Sequence, residues 1–126
     1  MDLLLSSFVW RWLVTFALTC FVELLVATPM MRLPSAERSR RLPLATRVEW
    51  IVTVNLLTHP LAFVLAWRYP NPVVIVGLEL VVATIEAALY ARSLRLDGAR
   101  AAATSFMANA ASVVASLALW TLVRYA

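Results

Sequence analysis

From Asn71 to Ala91 the chain reads NPVVIVGLELVVATIEAALYA. A run of about 20 apolar residues is what an α-helix needs to cross a bilayer, and this one carries two formal charges, Glu79 and Glu86. A charge at the centre of a spanning helix costs about 2.5–3.5 kcal/mol on the insertion scale, so the pair costs roughly 5–7 kcal/mol. The ten Val, Leu and Ile residues of the segment return about 3–6 kcal/mol on the same scale. Alone, this helix is marginal in lipid. It becomes stable if a glutamate is protonated, paired with a group such as His59, or held by a cation, so its sequence demands neighbours.

Three further apolar runs supply them. Trp12 to Met31 carries one charge, Glu23; Trp50 to Trp67 is uncharged but holds Asn55, His59 and Pro60; Ala101 to Val123 holds Ser105, Asn109, Ser112 and Ser116. The whole chain of 126 residues is 63% hydrophobic and 14% charged, against about 45–50% and 25% in soluble domains. A small soluble domain cannot hide that much apolar surface, and disorder requires the opposite balance. Two glycines leave no glycine-rich phosphate cradle, and the single Cys20 leaves no disulfide framework or cysteine zinc site. The runs are too long for barrel strands. The expected fold is all-α: one transmembrane domain over residues 1–126, an antiparallel bundle of four helices at about 12–31, 50–67, 71–91 and 101–123. The start, Met1-Asp2-Leu3-Leu4-Leu5, lacks the basic stretch of a cleaved signal, so the first helix is expected to be retained.

All eleven basic residues are arginine. Arg32, Arg38, Arg40, Arg41, Arg47, Arg92, Arg95 and Arg100 fall in the first and third connections, whereas Arg11, Arg68 and Arg124 fall at the other side. The positive-inside rule then puts the loop 32–49 in the cytoplasm and both termini outside, in an inner (plasma) membrane. Arg38, Arg40 and Arg41 are candidates for contact with anionic lipid. Nucleic acid is not an expected partner. Trp10, Trp12, Trp67, Tyr69, Trp120 and Tyr125 form an outer aromatic belt, with Trp50 and Tyr90 at the inner interface as plain anchors. A short surface helix is expected around Ser35–Arg41.

The polar residues of the spans gather at similar depths. At about 1.5 Å per residue from the nearest arginine, Glu23, Asn55 and Asn109 lie about 12–13 Å deep, Glu86 about 9 Å, and His59 and Glu79 about 18–20 Å. Asn55 and His59 are four apart, Glu79 and Glu86 seven apart, and Ser105, Asn109, Ser112 and Ser116 follow a 4-3-4 spacing, so each helix carries one polar stripe. Lipid satisfies none of these groups, and the stripes are expected to face one another or a second copy. Pro60 removes a helical donor and frees the Leu56 carbonyl between Asn55 and His59, a local break of the kind that often borders ion or substrate sites.

Asn55-Leu56-Leu57-Thr58-His59-Pro60, Glu79 and Glu86 followed by Tyr90, and Asn109-Ala110-Ala111-Ser112 together resemble a pattern of small four-helix bacterial membrane proteins, Asn-x-x-Thr-x-Pro, Glu-x6-Glu and Asn-x-x-Ser. The likeness covers the second to fourth helices and implies a shared polar constellation without supplying an activity. The glycine-rich and Thr-Phe-Ser segments of small fluoride channels are missing, and the single first-helix glutamate of small multidrug exporters is replaced by three glutamates on two helices. Intramembrane ionisable residues are functional candidates by default. The expected function is handling of a proton, cation or small cationic solute at Glu79 and Glu86, with His59 as their partner and Glu23, Asn55 and Asn109 shaping the site. Four helices leave little room for a pore, which points to a homo-oligomer. No cofactor is expected; a metal, if bound, would use His59, Glu79 and Glu86, although the paired Glu-x-x-His motif of di-iron bundles is missing. Two alternatives are a membrane-embedded enzyme acting on a lipid or isoprenoid with His59 and a glutamate as acid and base, and an accessory subunit of a larger membrane complex.

Overall fold

The computed structural model describes residues 2–33 and 36–125, with side chains described over 7–33 and 36–123. Five helices follow in chain order: α1 (Asp2–Arg32), the short α2 (Glu37–Arg40), α3 (Leu44–Arg68), α4 (Pro72–Ser93) and α5 (Gly98–Tyr125). Four of them, α1, α3, α4 and α5, are long and apolar enough to cross a membrane. The chain is an all-α, multi-pass bundle.

Each long helix extends past its apolar run. The first begins well before Trp12, because Arg11 does not end it: its guanidinium lies over the Trp67 and Trp120 rings, 5.9 and 5.5 Å from their centroids. α3 starts at Leu44, directly after Pro43, so the first connection is shorter than the 32–49 segment expected from hydropathy. Its opening turn is polar and ties down the loop. Arg47, buried, donates from Nε to the Leu42 carbonyl (2.9 Å) and from a terminal nitrogen to the Arg40 carbonyl (2.8 Å). α4 opens on Pro72, whose fixed φ suits the first helical position, and Asn71 caps it by accepting the Val73 N–H at 2.8 Å. The expected surface helix is one turn at Glu37–Arg40, and Ser35, its expected start, lies outside the described residues.

Helix α1 packs against α3 and α5, and α4 also packs against α3 and α5, so α1 faces α4 and α3 faces α5 across the bundle axis. The surface is largely apolar, and polar side chains are drawn into the interior. Val73, Leu122, Val114, Leu57, Leu61 and Leu117 are among the large exposed side chains, whereas Glu23, Asn55, Glu86, Thr104 and Ser105 are at most 1% exposed. Water would reverse that order; a hydrocarbon solvent produces it. Packing also differs along the axis. The apolar core, with Ala27, Met31, Ile51, Val54, Tyr90, Leu94 and Ala101, lies at the arginine-rich end. Among the described residues no side chain of 60–82 or 113–123 is fully buried. The bundle is closed at one end and hollow toward the other.

Candidate functional site: two buried glutamates and a cavity

Two hydrogen-bonded centres lie above the apolar core. In the first, Glu23 of α1 is fully buried, and its Oε2 accepts from Asn55 Nδ2 of α3 (2.6 Å) and from the Tyr90 hydroxyl of α4 (2.5 Å). Its Oε1 is buried without a partner among the described residues. Asn55 spends its second amide hydrogen on the Ile51 carbonyl one turn back (3.0 Å). In the second, Glu86 of α4 receives Thr58 Oγ1 of α3 on Oε1 (2.7 Å), and Asn109 Nδ2 (2.5 Å) and Ser105 Oγ (3.3 Å) of α5 on Oε2. Asn109 spends its second hydrogen on the Ser105 carbonyl (3.0 Å).

The two centres repeat one device. An asparagine on the second helix of each hairpin donates to the glutamate of the preceding helix and to the carbonyl four residues behind it. The sequence around each is similar, Asn55-x-x-Thr58 and Asn109-x-x-Ser112. With α1 opposite α4 and α3 opposite α5, the two glutamate–asparagine pairs occupy corresponding places in the two hairpins. The hairpins differ in the groups around the pair. Seven residues before the glutamate stands Phe16 in one hairpin and Glu79 in the other, and His59-Pro60 corresponds to Val113-Val114.

A cavity of about 290 Å3 runs from the Glu86 centre toward the hollow end, and all four spanning helices line it. Its floor holds Asn55, Thr58, Glu86, Asn109 and Ser112; Thr15, His59, Glu79 and Ser116 stand on its walls; Phe63 and Trp120 lie at its mouth. Trp120 is held there by its indole N–H, which reaches Thr15 Oγ1 at 3.4 Å. A second recess beyond it shares Phe63, Ala66 and Trp120 and is overhung by Arg11. Glu23 lies outside the cavity, one hydrogen bond behind Asn55.

The polar stripes thus converge within one chain, but not as one cluster. His59 and Glu79 share the cavity, yet neither a hydrogen bond nor an ion pair joins them among the described residues. His59 instead packs against Phe16 (5.6 Å, edge-on) and Phe63 (6.1 Å, stacked), with Nδ1 buried and unpartnered. The imidazole thus lies in a Phe16–His59–Phe63 cluster and not against Glu79. No three His, Cys, Asp or Glu side chains among the described residues, His59, Glu79 and Glu86 included, converge tightly enough to hold a metal ion. Tyr90, read as an interfacial anchor, is fully buried and bonded to Glu23. Its position four residues after Glu86, on the same helical face, carried that signal; Thr58, three after Asn55, carried the same one. Of the three arginines expected to meet lipid together, Arg41 is paired with Glu37 at 2.5 Å, and Arg38 faces a different set of arginines, described below.

Comparison with family models, curated proteins and solved structures returns no match.

Proposed function

We propose that this membrane protein handles a proton or a small cation at Glu86, reached through the cavity from the end bearing Trp67 and Trp120. The arginine excess supports an orientation with the closed end in the cytoplasm and both termini outside an inner membrane. The observation that carries the reading is a buried carboxylate on the floor of a cavity lined by every spanning helix. An ionisable group this deep is costly in lipid and is retained where it serves a pathway.

The hydrogen bonds around Glu86 suit a change of charge. The Thr58 hydroxyl lies 2.7 Å from Glu86 Oε1 and 3.1 Å from the Val54 carbonyl, and it has one hydrogen for the two. With Glu86 ionised, Thr58 donates to the carboxylate. With a proton on Oε1, the acid donates to Thr58 Oγ1 and the hydroxyl turns to Val54. Ser105 has the same choice between Glu86 Oε2 (3.3 Å) and the Ala83 carbonyl (2.8 Å). Both charge states are therefore hydrogen-bonded without a heavy atom moving, while Asn109 donates in either. Because buried polar groups are expensive when unpaired, it matters that neither state leaves the carboxyl without a partner. Glu79, half-buried on the cavity wall, is a second exchangeable carboxyl on the way in. The cavity is built from one chain, which supports a site complete without a second copy.

The test is flux in liposomes of purified protein under a pH or cation gradient. Glu86→Gln is expected to reduce flux to that of empty vesicles, and Glu79→Gln to slow it. Unchanged flux in both variants would refute the proposal.

A further inference from the structure

At the arginine-rich end a recess of about 510 Å3 lies between α2 and the turn from α4 into α5. Ala36, Ala91 and Leu96 give it an apolar lining, and Arg38, Arg92, Arg95 and Arg100 surround it together with Glu37 and Asp97. Both carboxylates are already engaged, Glu37 by Arg41 and Asp97 by Arg100 at 2.9 Å. Arg38, Arg92 and Arg95 have no carboxylate partner among the described residues, and they come from three segments: α2, the last turn of α4 and the α4–α5 turn. Arg95 reaches the recess from a left-handed backbone, φ 55°, which residues other than glycine adopt rarely. Leu94 and Leu96 on either side of it are buried and pin the turn in that form.

The positive-inside bias accounts for how many arginines this end carries, not for their gathering around one hollow. Like charges held together without an anion repel one another, and guanidinium groups converging from several directions match the oxygens of a phosphate, which they bind in forked pairs. We propose that the recess binds a phosphate-bearing anion, supplied either by an anionic phospholipid headgroup or by free phosphate. The site is separate from the glutamate cavity and does not rest on the transport reading.

The experiment is titration of the detergent-purified full chain, followed by native mass spectrometry, with short-chain phosphatidylglycerol, short-chain phosphatidylcholine and inorganic phosphate. Phosphatidylglycerol is expected to bind and phosphatidylcholine to bind far more weakly. With each surface arginine worth about fivefold in attraction to an anionic lipid, Arg92→Gln with Arg95→Gln should weaken binding roughly tenfold or more. Arg32→Gln, at the same end but outside the recess, should change it less than about twofold, where Arg95→Gln alone should weaken it about fivefold. Displacement by inorganic phosphate identifies a free-phosphate site; its failure to compete identifies a headgroup site. Equal losses in Arg32→Gln and Arg95→Gln, or an unaltered chain that binds neither phosphatidylglycerol nor inorganic phosphate, would overturn the proposal. Arg38→Gln alone gives a second reading of the same site if the Arg92 and Arg95 double variant does not fold.

Discussion

Glu23 and Glu86 occupy corresponding places in two similar hairpins, and each is held by an asparagine of the following helix, yet their surroundings differ in kind. Glu23 accepts both its hydrogen bonds on one oxygen, from donors that cannot turn elsewhere cheaply, and it lies against the apolar core. Glu86 is bonded on both oxygens, two of its three partners are hydroxyls with a carbonyl alternative, and it faces the cavity. The same pairing device therefore serves structure in one half of the chain and, on the proposed reading, exchange in the other. What separates them is the freedom of the neighbouring donors and access to the cavity.

The largest expected effect comes from removing the acid function at each place. Glu86→Gln should abolish flux and Glu23→Gln should leave most of it, measured in the same vesicles; the reverse result would exchange the two roles. A difference in access should follow. In a Cys20→Ala background, Ser116→Cys on the cavity wall should react with a membrane-impermeant maleimide at least about tenfold faster than Ser105→Cys, which replaces a hydroxyl fully screened from solvent. Equal rates would mean that the cavity does not admit water.

Smaller effects concern stability. Tyr90→Phe removes one of the two donors on Glu23 and should cost about 1–2 kcal/mol, read as a lower unfolding midpoint in detergent. Thr58→Val breaks the bond that crosses from α3 to Glu86 and should cost about 1 kcal/mol. Ser112→Ala, at the corresponding place in the other hairpin, should cost only a few tenths of a kcal/mol. Its hydroxyl reaches the Asn109 carbonyl of its own helix at 2.9 Å, and such local bonds add little. Equal costs for Thr58→Val and Ser112→Ala would argue that the hairpins have not diverged at this position.

The bundle and its inward polar faces could be read from residue spacing, because hydrocarbon tolerates neither exposed backbone nor unpartnered carboxylates. Periodicity alone brings Glu86, Asn109 and Ser105 within reach of one another. It does not choose partners. His59 was a plausible mate for Glu79 by depth, but Phe16 and Phe63 claim its ring, and nothing in the spacing of α3 reveals what α1 presents there. Tyr90 reads as a surface anchor because aromatic residues near a helix end usually sit at the membrane surface; only the closed bundle, with α1 diagonally across from α4, brings Glu23 within its reach. The end of the first connection was missed because Thr46, Arg47 and Glu49 are polar, although Pro43 marks where a helix can begin.

Each glutamate takes one bond from the opposite hairpin: Tyr90 of α4 reaches back to Glu23, and Thr58 of α3 reaches forward to Glu86. A ribosome delivers these segments in order. When the leading pair has entered the bilayer, Glu23 has Asn55 but not yet Tyr90, and Thr58 has only its own helix to bond. The third segment, the one least able to insert by itself, arrives to find that hydroxyl waiting. Neither half is a finished object, and the reciprocal bonds make the trailing pair's arrival the event that locks the leading one in place.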